Sequence, residues 1–97
     1  MQERILTQRL ILTQLENLVS KVKLQSPEFS DLDCRVFPSE TVAHSYVIDI
    51  SEGRFARRVI VNPITVKHLQ SAQFDSNLLQ EIRNAMRTVA KWANERK

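Results

Sequence analysis

Several residue types are scarce in this chain of 97 residues, and each shortage excludes a class of protein. Cys34 is the only cysteine, so neither an internal disulfide nor a cysteine-based metal cluster forms within the chain. Gly53 is the only glycine, whereas a phosphate-binding loop needs several. No apolar run approaches the roughly 20 residues of a membrane span, and the amino-terminal segment lacks a signal-peptide pattern. We therefore expect no membrane span, and the cytosol is the simplest compartment.

Groups that commonly carry catalysis are equally scarce. A zinc site needs three or four converging ligands, and His44 and His68 are not spaced to provide them together with Cys34. A cysteine nucleophile needs a base and an orienting group, which no motif in the sequence supplies. The sequence therefore predicts that the protein is not an enzyme and holds no metal or cofactor. Cys34 is predicted to be a small apolar side chain of the core.

Two long segments have the 3.6-residue periodicity of amphipathic helices. Residues 2–24 place seven apolar side chains on one arc of the helical wheel, and Pro27 prevents much continuation. A second long helix is predicted to begin with a cap at Asp75 or Ser76. Its apolar face comprises Leu78, Leu79, Ile82, Ala85, Met86, Val89, Trp92 and Ala93.

Between the helices, apolar and polar residues alternate with the two-residue period of half-buried strands. Gly53 is predicted to turn the chain between two of these strands, because a short hairpin turn needs a positive φ. Pro63 ends the third strand, and residues 62–74 are predicted to be irregular, with one helical turn at 64–69. The predicted strands are residues 34–37, 43–50 and 55–61.

These elements predict a single α+β domain over residues 1–97. Its chain order is α-β-β-β-α, with two long helices on one face of a small three-stranded antiparallel sheet.

The net charge is only +3, but its distribution is uneven. Residues 1–24 carry four basic and two acidic side chains, and residues 75–97 carry five basic and three acidic ones. The middle of the chain carries five basic and six acidic side chains. The positive excess on the terminal helices is either a footprint for a polyanion or two solvated helix faces. Arg83, Arg87 and Lys91 recur every four residues and form a stripe away from the apolar face, which suits neutralisation of phosphates.

Arg57 and Arg58 are neighbours on a predicted strand, so their side chains point to opposite faces of the sheet. One of them must lie on the helix-covered side or at its rim. We expect one arginine to pair with Asp49 or Glu52, and the other is a candidate for contact with another molecule.

Leu6 and Leu10 lie off the main apolar arc of the first helix. They belong either to the edge of the core or to a seam between two copies of the chain. A small domain has little material of its own to cover a second apolar face, so a homodimer interface is one of the two expectations.

The order of a long helix, three strands and a long basic helix resembles that of the YbaB/EbfC-type nucleoid-associated DNA-binding family. The resemblance is closest over residues 46–66, where a strand, a glycine turn at Gly53 and a second strand ending at Pro63 match the family's pattern. It implies a homodimer in the cytoplasm, on the nucleoid, that grips duplex DNA between paired helices with little sequence preference. The DNA-binding residues that it implies are Arg9, Lys21, Lys23, Arg83, Arg87 and Lys91.

Two other functions fit the same layout. One is a protein-partner module, such as an adaptor or a chaperone, that uses apolar surface of the first helix and the open sheet face and binds no nucleic acid. The other is a double-stranded RNA-binding domain, which shares the α-β-β-β-α order. Such domains carry a lysine cluster at the start of the last helix, where this chain has Asp75 and Glu81. RNA binding is therefore the least favoured of the three functions.

Overall fold

The computed structural model describes residues 2–70 and 76–95, and within them the side chains of residues 8–69 and 76–95. The three strands form one antiparallel sheet in the order β1-β2-β3. The predicted α+β fold with its α-β-β-β-α order is confirmed. The elements are α1 (Gln2–Lys23), a 3₁₀ turn (Pro27–Phe29), β1 (Asp33–Pro38), β2 (Tyr46–Glu52), β3 (Phe55–Val61), α2 (Pro63–Gln70) and α3 (Ser76–Glu95).

The helix α2 is the main departure from the prediction. The predicted helical turn at 64–69 is confirmed but is longer than expected, because Pro63–Gln70 forms a helix of eight residues where the sequence predicts irregular chain on either side of the turn. Pro63 occupies the first helical position, where a missing N–H leaves no bond unmade. Asn62 caps this helix, because its Oδ1 accepts a hydrogen bond from the backbone N of Thr65 at 2.8 Å. Asn62 and Pro63 therefore end a strand and begin a helix at the same point.

Two element boundaries also differ. The second strand begins at Tyr46, later than predicted, because the preceding residues close a loop in which Ser39 N donates to Ser45 O at 2.9 Å. The helix α3 begins at Ser76, one of the two predicted caps, while Asp75 lies outside the described residues.

The core lies between one face of the sheet and the helices α1 and α3. The described residues of the apolar faces predicted for both helices are buried or partly buried there, except that Trp92 is 38% exposed and packs at the rim, with its ring 6.4 Å from that of Phe55. Alternate residues of β2 and β3 point into this core. The sheet contributes Tyr46, Ile48, Ile50, Val59 and Val61, α1 contributes Ile11, Leu15, Val19 and Val22, and α3 contributes Leu78, Ile82, Ala85, Met86, Val89 and Ala90.

The opposite face of the sheet points away from this core. Val47 lies at its centre and is only 6% exposed, because its cross-strand neighbours Phe37 and Ile60 flank it. Ile60 itself is 55% exposed. The outward face therefore carries an apolar row across all three strands.

A two-residue turn joins β2 to β3. Glu52 and Phe55 are opposite each other in the ladder, so Gly53 and Arg54 form the turn. Gly53 has a φ of +61°, whereas Arg54 does not have a positive φ. A positive φ at the first central residue alone is the signature of a type II′ turn, which confirms the predicted role of the glycine.

Replacing Gly53 with valine is expected to lower the free energy of unfolding by about 1–2 kcal/mol, because a β-branched residue resists the left-handed backbone. A Cβ at this position would meet no heavy atom within 4 Å, so the loss comes from backbone strain and not from a clash. The Gly53→Asn variant is the control, since asparagine is accepted in such turns. Urea denaturation measures both, and equal losses for the two variants would contradict the turn assignment.

Candidate functional site

A hydrogen-bonded contact joins the basic stripe of α3 to the end of α1. Arg83 Nε and Nη2 both donate to Gln25 Oε1, at 3.1 and 2.9 Å, and Nη1 donates to Gln80 Oε1 at 3.5 Å. Gln25 lies two residues beyond the last residue of α1, and Lys21 is an exposed side chain in the last turn of that helix. Arg83 is therefore held beside the end of α1, whose last turn carries Lys21. Nothing in the sequence singles out Gln25, which is 58 residues from Arg83.

Two further cations of α3 follow this contact along the helix. Arg87 and Lys91 follow Arg83 at four-residue spacing, as predicted, and both are exposed. Lys91 Nζ lies 4.0 Å from Glu95 Oε1, an exposed pair whose stabilisation is small. Arg87 has no ion-pair or hydrogen-bond partner within the described part of the chain. We call Lys21, Arg83, Arg87 and Lys91 the basic patch.

Arg9 and Lys23 do not belong to the basic patch. Lys23 lies two residues after Lys21, which is roughly 200° around a helix, and its charge acts on the thiol of Cys34 in β1. Arg9 precedes Lys23 by fourteen residues, or about 21 Å along the axis of α1. The six predicted DNA-binding residues therefore do not lie on one surface, and the sequence pattern alone does not separate them.

The two candidate seam residues lie in the amino-terminal half of α1. Leu10 is 54% exposed and is not part of the core, which favours a seam over the core edge for this residue. Leu6 also lies in α1, but its side chain is outside the described residues. Association of two copies remains a prediction.

The two neighbouring arginines of β3 have different surroundings. Arg58 lies on the face away from the core, with its Nε 3.8 Å from Asp49 Oδ1 and its guanidinium 5.9 Å from the centre of the Phe37 ring. Arg57 lies opposite Ile50 at the rim of the helix-covered face, is exposed, and has no ion-pair or hydrogen-bond partner among the described residues. The expected pairing of one arginine with Asp49 is confirmed.

Cys34 is half-buried in β1 and packs against the core. Burial raises the pKa of its thiol; the charge of Lys23 opposes this shift, and the charges of Asp33 and Asp49 add to it. A thiol with a raised pKa is mostly protonated near neutral pH and is a poor nucleophile.

Residues 2–70 and 76–95 contain neither a set of metal-ligating side chains nor a helix that could cross a membrane. Among them, no three His, Cys, Asp or Glu side chains come close enough together to hold a metal ion. The helices of the same residues do not have the length and apolar content that a bilayer crossing requires.

Neutralising Lys23 is expected to raise the pKa of Cys34 further, because the ammonium group stabilises the thiolate. The Asp33→Asn variant is expected to lower the same pKa. The pH dependence of alkylation by iodoacetamide measures both changes, with the unfolded chain in urea as the reference. If the pKa of Cys34 in Lys23→Gln is at or below its value in the unchanged protein, Lys23 does not act on the Cys34 thiol.

No protein-family model, no curated protein and no solved structure matches the chain. The resemblance to the YbaB/EbfC-type family therefore stays a prediction, and the function is argued from the residues themselves.

Proposed function

We propose that the protein binds duplex DNA through the basic patch with little sequence preference. The observation that supports this proposal is the contact of Arg83 with Gln25, which joins the basic stripe of α3 to the turn just after α1, whose last helical turn carries Lys21. Lysine and arginine side chains on such a surface neutralise phosphates and release counterions, which gives affinity for any sequence.

The dimensions of the basic patch suit the DNA backbone. Arg83 and Lys91 are eight residues apart, which corresponds to about 12 Å along α3. Duplex DNA presents one phosphate charge per roughly 1.7 Å of its axis, so about seven charges fall within this length. Each of the four cations can therefore meet a phosphate, and arginine can do so with two parallel N–H donors. Arg9 and Lys23 contribute through the overall positive potential.

A second copy of the chain completes the proposal. The exposed side chain of Leu10 lies on the half of α1 that precedes its first core residue, Ile11, and it offers an apolar contact to the same segment of another copy. Such a dimer, with Leu6 in the same seam, presents two basic patches to one duplex. Binding of both patches doubles the number of phosphate contacts without a new type of contact.

Fluorescence anisotropy of a labelled random-sequence duplex in a salt series tests the proposal. The logarithm of the affinity is expected to fall linearly with the logarithm of salt concentration, with a slope of about −3.6 for one patch and about twice that for two. Sedimentation equilibrium of the same samples measures the number of copies. Duplexes of different sequence are expected to bind with similar affinity. Absence of binding at low salt would overturn the proposal and favour the protein-partner module.

A further inference from the structure

The outer edge of β3 is open to pairing. The sheet order makes β3 an edge strand. In a hairpin with a two-residue turn, the flanking residues Glu52 and Phe55 form a hydrogen-bonded pair. This pair determines which residues of β3 direct their backbone N–H and C=O groups toward β2 and which direct them outward. Every second residue from Phe55 onward directs its N–H and C=O groups toward β2. The residues that direct theirs outward are Ala56, Arg58 and Ile60, and the side chains of all three are exposed.

A groove accompanies this edge between β3 and the helices. It consists of two adjoining cavities of about 310 and 260 Å³, both lined by Ile60 and Glu81. Arg57 and Arg58 line one end, and Ile64, which is 67% exposed, lines the other. The groove therefore has two arginines at one end and a mostly polar lining with the exposed Ile64 at the other, with the carboxylate of Glu81 in both cavities, and it follows the direction of the strand.

The charges of β3 disfavour a second copy of the same strand that pairs about Arg57 or Arg58. An antiparallel pairing of two β3 strands centred on Arg57 or on Arg58 would place two arginines directly opposite each other, which is destabilising. Arg57 has no ion-pair or hydrogen-bond partner among the described residues, and Arg58 has one ion-pair partner there, the partly exposed Asp49 at 3.8 Å, beside the ring of Phe37. A strand with carboxylates opposite both arginines is the complementary occupant.

We propose that the edge of β3 binds an extended, acidic peptide segment of another protein as a fourth, antiparallel strand. Ala56, Arg58 and Ile60 exchange backbone hydrogen bonds with it, as in other cases where a peptide extends a sheet. Successive carboxylates of the peptide lie opposite Arg58 on the outward face and Arg57 on the helix-covered face. An apolar side chain lies opposite Ile60. Because the peptide runs antiparallel to β3, its residues from the amino end lie opposite Ile60, Val59, Arg58 and Arg57. The order expected in the peptide is therefore an apolar residue, a polar residue and two acidic residues.

This surface shares no residue with the basic patch, so the inference stands independently of DNA binding. The two surfaces also differ in their chemistry. The basic patch consists of side chains alone, whereas the edge of β3 adds outward-facing backbone groups that only an extended chain can match. A polyanion without N–H donors has nothing to offer the outward C=O groups of β3.

Anisotropy of a labelled peptide with the core Val-Thr-Asp-Glu tests the proposal. We expect saturable binding, and a roughly threefold to fivefold loss of affinity in the Arg57→Gln variant. The Arg87→Gln variant is the matched control, because it removes an equally exposed arginine outside the groove, and it is expected to keep the affinity. The same two variants are expected to behave in the opposite way with duplex DNA.

Methylation of the peptide backbone tests the strand geometry. The amides of the Val and Asp residues would face β3, so N-methylation at Asp is expected to weaken binding about tenfold. N-methylation at Thr, whose amide would face away from β3, is expected to leave most of the affinity. Absence of saturable binding, equal losses at the two methylation sites, or equal losses in Arg57→Gln and Arg87→Gln would each overturn the proposal. None of these outcomes depends on whether the protein binds DNA.

Discussion

Changing Lys21, Arg83 and Arg87 together to glutamine is expected to reduce the affinity for duplex DNA by roughly a thousandfold at about 50 mM salt. The physical reason is the loss of three phosphate contacts, each of which contributes close to one unit to the slope of log affinity against log salt. The slope should therefore fall by about 2.7, and the difference between the two proteins should shrink as salt is added. Anisotropy in a salt series measures both quantities in one experiment.

The control for this variant removes the same amount of charge from another part of the surface. Changing Arg9, Lys23 and Arg57 together to glutamine lowers the net charge equally, but none of the three belongs to the basic patch. We expect this control to lose affinity only through the weaker overall potential, with a much smaller change in slope. Equal losses in the two triple variants would show that total charge, and not the patch, determines binding.

The triple variant also needs a check on folding, because Arg83 donates two hydrogen bonds to Gln25. Both groups are exposed, so removal of the guanidinium leaves no buried acceptor without a partner. We expect the thermal unfolding midpoint of the variant to stay close to that of the unchanged protein. A large drop in this midpoint would mean that the triple variant loses DNA binding because it unfolds. The single variant Arg87→Gln, which leaves the contact of Arg83 with Gln25 in place, would then test whether the basic patch binds DNA.

Replacing Ile48 with alanine is expected to lower the free energy of unfolding by about 2–5 kcal/mol. Ile48 is fully buried on the middle strand and faces the core, so its truncation removes apolar contacts and leaves a cavity. The total stability of a domain of this size is on the order of 5–15 kcal/mol, so the loss is a large fraction of it. Urea denaturation measures the change as a shift of the midpoint at an unchanged slope.

Ile60 provides the control, because it is the same residue type on the neighbouring strand but faces away from the core and is 55% exposed. We expect Ile60→Ala to cost less than about 1 kcal/mol, since most of its side chain is already in contact with water. A similar loss for Ile48→Ala and Ile60→Ala would mean that the outward face of the sheet is covered in solution. That result would agree with a partner on this face and contradict the exposure of Ile60 to water.

The long helices and the strands could be predicted from the sequence because their signals are local. Residues such as Ile11, Leu15 and Val19 repeat at helical spacing, and Tyr46, Ile48 and the residues that follow alternate at strand spacing. The helix α2 was predicted only as one turn because Asn62 and Pro63 are typical both of the end of a strand and of the start of a helix. A proline after a strand predicts the end of that strand, whereas the helix cap that Asn62 provides is visible only in the hydrogen bond from Thr65.

The candidate site was predictable only within each helix. Four-residue spacing placed Arg83, Arg87 and Lys91 on one face of α3. It did not show that Lys21 lies on the side of α1 near this face while Lys23 lies near β1, because that depends on how the two helices pack. The deciding contact joins residues 58 positions apart, and no local pattern encodes it.

The contact between Arg83 and Gln25 also makes the end of α1 responsive to a bound anion. Arg83 uses the Nε and Nη2 groups for Gln25, so a phosphate competes with Gln25 where it takes this same pair, while the remaining N–H groups of the guanidinium can bind a phosphate without such competition. Binding of a polyanion to the Nε and Nη2 pair is expected to release Gln25 and to loosen the turn that follows α1, with faster amide hydrogen exchange at Leu24 and Gln25. In this mode the affinity for the anion is lowered, because the phosphate contact first breaks an internal one.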